Sequence, residues 1–463
     1  MLPTKIVVIG AGSASFGLNT LAALVRSERL RGSHLALVDL DGEALATVGR
    51  LAERLNREWT AQMTITTHTH HTEAFDSAEF VVLSIEVPPR EELWKSDYEI
   101  PLKYGVRQPY AENGGPGGFA HAARNIGPVM EIARDMERIC PDAWLINFTN
   151  PMMRICDALA RYSSIRVVGL CHQIYVGYAM VGLALADDLG IQVPEGFTDC
   201  HASPATIPPR RQVARQAVEL VDIKAAGLNH FTWMLDLRDR STGKDLYPLF
   251  AERWAAMDPG FEPLTRRIYD ILGLFPIPGD EHLCEYLPWA SDPLAKPWEK
   301  YDLSLYEWDL WAQLRGFSHD DITKMADGQT TIDHLRDTSS EGALEMIENI
   351  AGAGNHYHLA VNLPNVGQIT NLPHGAMVET PGLVSGMGAQ GVNVGPLPEP
   401  IAELCRREIA VVRLCVDAAV HGNRQAALQC LLLDPVITDL DVAQQVLDDY
   451  LGTYREHLPQ FWA

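Results

Sequence analysis

Short apolar runs alternate with amphipathic stretches over the first 171 residues. The runs cover 5–9, 35–38, 80–85, 144–148 and 167–171, and the more polar stretch 64–69 is a weaker predicted strand. Between them, residues 18–26 have a helical pattern, and 42–56 would place Leu45, Val48 and Leu51 on one face of a helix. Strands that alternate with helices predict an α/β fold with a doubly wound parallel sheet.

The pattern changes after about residue 200. Proline-rich breaks at 207–209 and 275–278 separate longer, mixed segments, and strongly helical patterns cover 400–433 and 442–454. We therefore predict two domains, a doubly wound domain over 1–200 and an α+β domain over 201–463. In the segment 184–219 the apolar residues follow neither the helical nor the strand repeat, and we predict that this segment is irregular.

Composition and charge narrow the class of protein. The chain has 463 residues, of which 47% are hydrophobic and 21% charged, as is ordinary for a soluble enzyme. The net charge of -23 argues against a nucleic-acid partner, because phosphate contacts need clustered Lys and Arg.

The cysteines indicate a reducing compartment. The eight cysteines are scattered and form no CxxC pair, which is typical of reduced, buried thiols. The first strand begins at Lys5, which leaves no room for a signal peptide, and no apolar run reaches the roughly 18 residues of a membrane span. We therefore expect a cytoplasmic protein without a membrane partner.

A glycine-rich turn, GxGxxxxG over 10–17, follows the first strand and opens a helix. Gly10 and Gly12 would let the backbone approach a pyrophosphate at the helix N-terminus. Asp39, at the end of the second strand, would accept hydrogen bonds from a ribose and repel a 2′-phosphate, which favours NAD over NADP. The alternative is a tight turn that binds no ligand.

Two further motifs lie at the carboxyl ends of predicted strands, where open α/β sheets bind ligands. Asn147–Pro151 offers two amides for hydroxyl groups, although Asn-Pro also starts ordinary turns. Cys171 and His172 end the sixth strand, and Asn229-His230 follows a later apolar stretch. A single buried cysteine or histidine is usually structural. A thiolate and an imidazole together would suit a divalent transition ion with open positions for substrate oxygens.

The segment Gly279–Tyr286 packs several titratable side chains into eight residues. Such density is common where bases and metal contacts lie. The alternative interpretation is a solvated acidic turn.

These motifs together resemble the NAD- and metal-dependent glycosidases of glycoside hydrolase family 4. The resemblance rests on the turn at 10–13, Asn113–Gly118, Cys140–Pro151, Val168–His172, Gly227–Phe231, Gly279–His282, Asn362–Asn365, Val394–Pro398 and Ala426–Pro435. It implies a Rossmann domain, a C-terminal domain like that of lactate and malate dehydrogenases, tightly held NAD and a divalent ion, usually manganese.

The resemblance also implies residue roles. Cys171 and His230 would bind the metal, and Asn150 would bind the sugar. The predicted NAD contacts are Gly10, Gly12, Ser13, Phe16, Asp39, Ser84 and Asn147, and the predicted sugar contacts are Asn150, Asn229, Arg124 and His282. The Cys-His form of 171–172 resembles the α-glycosidase branch, whereas phospho-sugar members more often carry Asp or Asn after the cysteine. It therefore favours a non-phosphorylated α-hexoside.

The family is an exception to direct hydrolysis between two carboxylates. The resemblance implies that NAD oxidises C3, that a base removes the C2 proton, that the aglycone leaves by elimination, and that water addition and re-reduction follow. Asp280 aligns with the acid of the α branch and is the predicted base, with Tyr286 as the alternative. His172 is the predicted group that assists the leaving group, because its charge changes near neutral pH.

Two departures from the family pattern concern specificity. The stretch between Cys171 and His230 is longer than usual, and residues 119–124 lack an arginine that many members carry earlier. An anionic hexoside, such as a uronide or a sulfoquinovoside, is one substrate class that fits these departures. Six basic residues could then form an anion clamp: Arg90, Lys95, Arg124, Arg154, Arg210 and Arg211.

Two other functions compete with the glycosidase. An NAD-dependent 2-hydroxy-acid dehydrogenase of the same fold would need an Arg-His-Asp arrangement and no metal. A non-catalytic NAD sensor would not need Cys171. The resemblance favours the glycosidase and further implies a homodimer or homotetramer.

Overall fold

A single sheet runs through the protein, and the predicted site lies where inner strands of this sheet have their carboxyl ends. The structure is a computed structural model that describes residues 2–12 and 16–462, with the backbone alone for Phe16. Its strands are β1 (Lys5–Ile9), β2 (His34–Val38), β3 (Thr64–His68), β4 (Phe80–Leu83), β5 (Trp144–Asn147), β6 (Arg166–Gly169), β7 (Val221–Leu228), β8 (Phe231–Asp239), β9 (Phe275–Pro276), β10 (Asn355–Pro364), β11 (Met377–Ser385) and β12 (Gly388–Gly391).

Helices cover both faces of this sheet. They are α1 (Phe16–Arg26), α2 (Gly42–Glu58), α3 (Arg90–Leu102), α4 (Gly115–Ile139), α5 (Met152–Tyr162), α6 (Ile174–Ala184), α7 (Ala186–Leu189), α8 (Ile207–Leu220), α9 (Tyr247–Ala256), α10 (Pro263–Leu272), α11 (Asp280–Leu283), α12 (Pro297–Lys300), α13 (Trp308–Ala326), α14 (Ala343–Ala351), α15 (Glu399–His421), α16 (Arg424–Leu433) and α17 (Leu440–Thr453). None of the helices in the described residues is long and apolar enough to cross a membrane.

The order of the strands places a crevice beside β1. The parallel part runs β3-β2-β1-β4-β5-β6, and the sheet continues as β10-β11-β7-β8-β9 with antiparallel pairing, while β12 pairs with β11. From β1 the chain first adds β2 and β3 on one side and then β4, β5 and β6 on the other, and α/β sheets bind ligands where the strand order reverses in this way. The predicted α/β class with a doubly wound parallel sheet is confirmed. The domain boundary near residue 200 stays a prediction.

The apolar runs form buried strands because both faces of the parallel sheet are covered. Along β1, Ile6 and Val8 face one hydrophobic core, whereas Val7 and Ile9 face the other. Side chains of a strand alternate between the two faces, so a strand buried on both needs a continuous apolar run.

Two segments differ from their predictions. The helical tail is interrupted at Gly422, which has a φ of 63° and ends α15, and the Asn423 side chain then caps α16. The prediction that 184–219 is irregular is wrong for its second half, because α8 packs there against α6. Pro208 and Pro209 lie in the first turn of α8, where the missing N–H groups are no loss, and so they start the helix rather than break it.

Candidate active site

Cys171 and His230 meet although they lie 59 residues apart in the chain, because β6 and the β7–β8 hairpin end at the same edge of the sheet. The two strands between β6 and β7 fix the positions of these ends relative to each other, since Asn362 of β10 pairs with Gly169 and Glu379 of β11 pairs with Gly227. Cys171 Sγ lies 3.3 Å from His230 Nε2. The contact brings together the two predicted metal ligands, whose role remains a prediction.

The turn of the β7–β8 hairpin is the two residues Asn229 and His230. His230 has a φ of 43°, in the left-handed region that side chains other than glycine rarely adopt. Such backbone strain clusters at functional sites, where the surrounding structure has to hold it. The hairpin therefore keeps the buried imidazole of His230 at the sheet edge.

Burial sets the charge of this pair. Burial, together with the nearby Glu379 carboxyl, raises the pKa of the Cys171 thiol well above its usual range. Burial, His282 and His172 lower the pKa of His230 well below its ordinary value, so its ring is neutral near pH 7. A neutral imidazole beside a thiol is a donor set that suits a transition ion, whose charge would favour the thiolate.

Polar atoms around the pair lack partners in the described part of the chain. They include His230 Nδ1, Asn150 Oδ1 and Asn229 Oδ1, all of which are buried. The other end of the Asn229 amide donates to Glu379 Oε2 at 2.7 Å, and this bond orients the side chain. Buried polar atoms are almost always satisfied in native proteins, so these atoms fit a site that binds an ion or a polar ligand.

The titratable segment around α11 packs against this pair. The His282 ring stacks on the His230 ring, with centroids 4.4 Å apart. Glu285 Oε2 accepts the backbone N–H groups of Glu112, Asn113 and Gly114 at 2.9, 2.7 and 3.1 Å. A Cβ at Gly114 would lie 2.5 Å from the Glu285 carbonyl oxygen, which explains the glycine there. The segment is a buried part of the site, and not a solvated turn.

Glu112 is a member of the site that the sequence analysis missed. It is buried, Asn150 Nδ2 donates to its Oε1 at 3.4 Å, and Asn113 Nδ2 donates to its Oε2 at 3.0 Å. Burial raises its pKa above the ordinary value, against the opposing effects of His282 and Arg90. Its position directly before the motif 113–118 was the available signal.

Side chains of Glu112, His282 and Glu285 converge, with potential ligand atoms within 4.8 Å of one another. Burial opposes the charge on His282, yet the carboxylates of Glu285, Glu281 and Glu112 raise the pKa of His282 to about 9. The histidine is therefore a cation near pH 7, and His282 Nδ1 lies 3.1 Å from Glu285 Oε1. This arrangement is a buried ion cluster that brings positive charge next to the Cys171–His230 pair.

The predicted base, Asp280, is oriented towards the N-terminus of α10. Its two carboxylate oxygens accept the N–H groups of Leu264 and Thr265 at 2.9 and 2.6 Å. Burial raises its pKa to about 6 in spite of these bonds. The alternative, Tyr286, packs on Phe231 and lines a small cavity that Asn113 and Asn229 also line. Neither assignment is tested by these contacts, and both stay predictions.

Four of the six predicted anion-clamp residues make ion pairs with carboxylates. Arg124 is buried and makes a bidentate ion pair with Asp97 at 2.7 and 2.6 Å, and its contact with the sugar stays a prediction. The other ion pairs join Arg90 to Glu112, Lys95 to Asp309 and Arg154 to Glu408. Arg210 and Arg211 instead line a cavity that His172 also lines. His172 Nδ1 lies 3.3 Å from Glu341 Oε2.

The glycine-rich turn fits a dinucleotide. Gly10 has a φ of 85°, and a Cβ there would lie 1.9 Å from the Ser84 carbonyl oxygen, so only glycine is accommodated. Gly12 N–H donates to Asp39 Oδ2 at 2.7 Å, which ties the turn to the acid that is predicted to bind the ribose. These residues leave backbone close to the crevice beside β1, as a bound pyrophosphate requires.

The structure gives less information on three further residues that are predicted to contact NAD. Ser13 lies outside the described residues, as does the side chain of Phe16. Asn147 is buried and its amide bonds to both the N–H and the C=O of Thr149, at 3.1 Å each. It therefore shapes the turn 147–151, and its contact with NAD stays a prediction.

Comparisons with known proteins agree with this architecture. Residues 5–186 match the model of the family 4 glycosyl hydrolases, and residues 225–437 match the model of the C-terminal domain of that family. An α-glucosidase of Erwinia rhapontici is 29% identical, with 96% of this chain and 97% of the relative covered. The crystal structure of a putative glucosidase, LplD of Bacillus subtilis, has a TM-score of 0.82 and 26% identity, and covers 97% of this chain and 100% of its own.

A second solved structure is a 6-phospho-α-glucosidase from gut microorganisms in complex with NAD and Mn²⁺. It has a TM-score of 0.79 and 21% identity, and covers 99% of both chains. At this identity the likeness concerns the fold. The two family models, in contrast, together span most of the sequence, in the order and positions of the motifs described above. The chain therefore belongs to family 4 of the glycosyl hydrolases and is a glycosidase.

Proposed function

We propose that the protein cleaves a non-phosphorylated α-hexoside with NAD and a divalent ion, by oxidation and later re-reduction of C3. The observation that carries the proposal is the 3.3 Å contact between Cys171 Sγ and His230 Nε2 at the carboxyl edge of the sheet. It is supported by the glycine turn beside β1, and by the fold shared with an enzyme solved with NAD and Mn²⁺.

The residues present suit both cofactors. Gly10, Gly12 and Asp39 would hold NAD, and Cys171 with His230 would hold the ion. When bound, NAD supplies a reversible hydride acceptor, and the divalent ion polarises sugar oxygens and makes the C2 proton more acidic. Because the hydride is returned, turnover would leave no net NADH.

The sugar would be oriented by amides at the sheet edge. The side-chain oxygens of Asn150 and Asn229 are buried without partners in the described structure, and both can accept hydroxyl protons. The His282 cation, stacked on His230, can donate to a sugar oxygen. Correct orientation accounts for a large part of catalysis in reactions of this type.

Two proton-transfer roles have to be filled, and each has a first candidate and an alternative. Asp280 is the proposed C2 base, since a pKa raised to about 6 by burial leaves it ionised near pH 7 yet basic enough to accept a proton. Its side chain would have to leave the N-terminus of α10, whereas Tyr286, the second candidate, already lines a cavity with Asn229. Glu112, whose pKa burial raises, is the proposed donor to the leaving oxygen, with His172 as the alternative.

The proposal includes a cytoplasmic location and a homodimer or homotetramer. All eight cysteines are unpaired in the described residues, which suits a reducing compartment. A glycosidase that depends on NAD also needs the nucleotide pool of the cytoplasm.

A chromogenic assay tests the proposed function. Nitrophenyl α-hexosides should release nitrophenol only when NAD and Mn²⁺ are present, without accumulation of NADH. A strong chelator should abolish the release, and added Mn²⁺ should restore it. Hydrolysis that is indifferent to the chelator would refute the metal assignment. Steady NADH production without sugar release would instead indicate the 2-hydroxy-acid dehydrogenase, which membership of this family does not favour.

A further inference from the structure

A row of four paired residues crosses the sheet between the strands that lead to the two proposed metal ligands. Backbone pairing places Gly169 of β6 beside Asn362 of β10, and Asn362 beside Glu379 of β11. Glu379 in turn pairs with Gly227 of β7. Gly169 lies two residues before the cysteine ligand, and Gly227 lies three residues before the histidine ligand. The row therefore spans the part of the sheet that separates the two ligands.

The side chains of this row are joined through Glu379. Asn229 Nδ2 and Asn362 Nδ2 donate to the same oxygen, Glu379 Oε2, at 2.7 and 2.9 Å. Asn362 Nδ2 also donates to the carbonyl oxygen of Gly169 at 3.3 Å. A carboxylate only accepts hydrogen bonds, so both amides have to turn their N–H groups towards it. One carboxylate thus orients the amide next to His230 and the amide that contacts β6.

The Glu379 carboxyl group is buried without a positive partner. Its exposed fraction is 2%. Among the residues that the structure describes, it takes part in no ion pair, and its Oε1 has no hydrogen-bond partner. Burial raises the pKa of Glu379 to about 7, and the hydrogen bonds from the two amides oppose this effect. Buried charges in proteins are paired or coordinate metals, so an unpaired carboxylate here favours a cation nearby.

Glu379 acts directly on the proposed cation site. After burial, its carboxyl group is the strongest influence that raises the pKa of the Cys171 thiol, and a side-chain hydrogen bond from Asn229 opposes that effect. The negative charge that disfavours a thiolate in the empty site would attract a divalent ion to it. No cluster of potential metal ligands in the described part of the chain includes Glu379. It would therefore act through its charge and through Asn229, and not as a ligand.

We propose that Glu379 is the positioning residue of the cation site, where it orients Asn229 and strengthens the binding of the divalent ion at Cys171 and His230. The inference rests on the proposed function and adds a residue outside the predicted ligand set. Partners of this kind commonly change metal affinity by roughly 10- to 100-fold. Because the N–H group of Asn229 is turned to Glu379, its buried Oδ1 is left to accept a hydrogen bond from a bound ligand.

A metal titration of the full chain tests the proposal without a turnover assay. Protein stripped with a chelator is titrated with Mn²⁺ in the presence of NAD, and the free ion is followed by electron paramagnetic resonance. Glu379→Gln removes the charge and keeps the shape, whereas Glu379→Asp keeps the charge on a shorter side chain. Asn362→Ala removes one of the two donors to the carboxylate. The control is Asp157→Asn in α5, a buried carboxyl group that instead pairs with Arg161 at 3.1 Å.

We expect Glu379→Gln to weaken Mn²⁺ binding roughly 10- to 100-fold, and Glu379→Asp to weaken it less because the charge remains. Asn362→Ala should weaken it roughly 10-fold, as the loss of a hydrogen bond to a charged group does, and it tests the inference even if Glu379→Gln does not fold. Asp157→Asn should bind Mn²⁺ like the wild type. The affinity for NAD, measured separately by fluorescence titration, should be unchanged in all four variants.

Three results would overturn the inference and leave the proposed function intact. They are an unchanged Mn²⁺ affinity in Glu379→Gln, equal losses in Glu379→Gln and Glu379→Asp, and losses of Mn²⁺ and NAD affinity that run in step. The last result would assign Glu379 a general role in the stability of the sheet. A wild-type protein that binds no Mn²⁺ would instead refute the cation site of the proposed function, and this inference with it.

Discussion

Two regions next to Cys171 are built in opposite ways. The Cys171–His230 contact lies at the ends of sheet strands, is partly buried, and is surrounded by buried polar atoms that lack partners in the described residues. The cavity beyond His172 is bounded by the exposed, charged face of α8, which lies outside the matched family stretches. The sheet suits chemistry that tolerates little displacement, because side chains on rigid elements are held precisely.

The two regions also differ in how they handle charge. At the sheet edge, burial suppresses charge on Cys171 and His230, and the ionised groups there are paired within a cluster. On α8, like charges stand side by side without full pairing.

The largest effect is expected when the sheet edge is changed. Cys171→Ser removes the soft donor, so we expect bound Mn²⁺ to be lost and activity to fall at least roughly 1,000-fold, because a polarising ion stabilises the transition state by several kcal/mol. Metal analysis and kcat measure this. Cys140→Ser, a buried thiol at the end of α4, should keep both. Full metal content and activity in Cys171→Ser would contradict the assignment of Cys171 as a metal ligand.

A smaller effect is expected at the proposed proton donor. Glu112→Gln keeps the shape of the side chain but cannot donate an acidic proton, so cleavage of an alkyl glycoside should slow by roughly 100-fold or more. Nitrophenyl glycosides, whose leaving group needs little protonation, should slow less. Glu131→Gln, an exposed glutamate of α4, is the control. Equal losses for both leaving groups would exclude a donor role.

The smallest effect concerns the carboxyl group that fastens the loop before α8. Glu262 Oε1 and Oε2 accept the N–H groups of Cys200 and Asp280, and burial together with Asp280 raises the pKa of Glu262 to about 8. Since the folded state binds this proton more tightly than the unfolded chain does, stability should fall as pH rises from about 5 through about 8.

Glu262→Gln should flatten this fall, even though it loses one acceptor at every pH. The pH dependence of the free energy of unfolding measures the change, which is at most about 1.4 kcal/mol per pH unit for one proton. The exposed Glu53→Gln variant on α2 should keep the wild-type slope. A slope unchanged in Glu262→Gln would mean that another buried carboxyl group dominates the pH dependence.

Much of the fold could be predicted from local patterns. The apolar runs located β1, β2, β4, β5 and β6, because a strand buried on both faces has to be apolar throughout, whereas the largely polar β3 lies at the edge of the sheet. The ends of these strands then located the ligand crevice, since parallel strands end at one edge. The interpretation of 207–209 failed because Pro-Pro both breaks and begins helices, and local sequence does not distinguish the two roles.

Local sequence is sufficient to predict which elements form and which chemical groups stand at their ends, because backbone periodicity and turn preferences act over a few residues. Which of these groups meet depends on the packing of distant elements. That packing brings Cys171 to His230 across three sheet pairings, places Glu112 beside Asn150, and pairs Arg124 with Asp97. It also turned the arginines of α8 towards His172. Packing over long separations makes these choices, and the composition of a single segment carries no record of them.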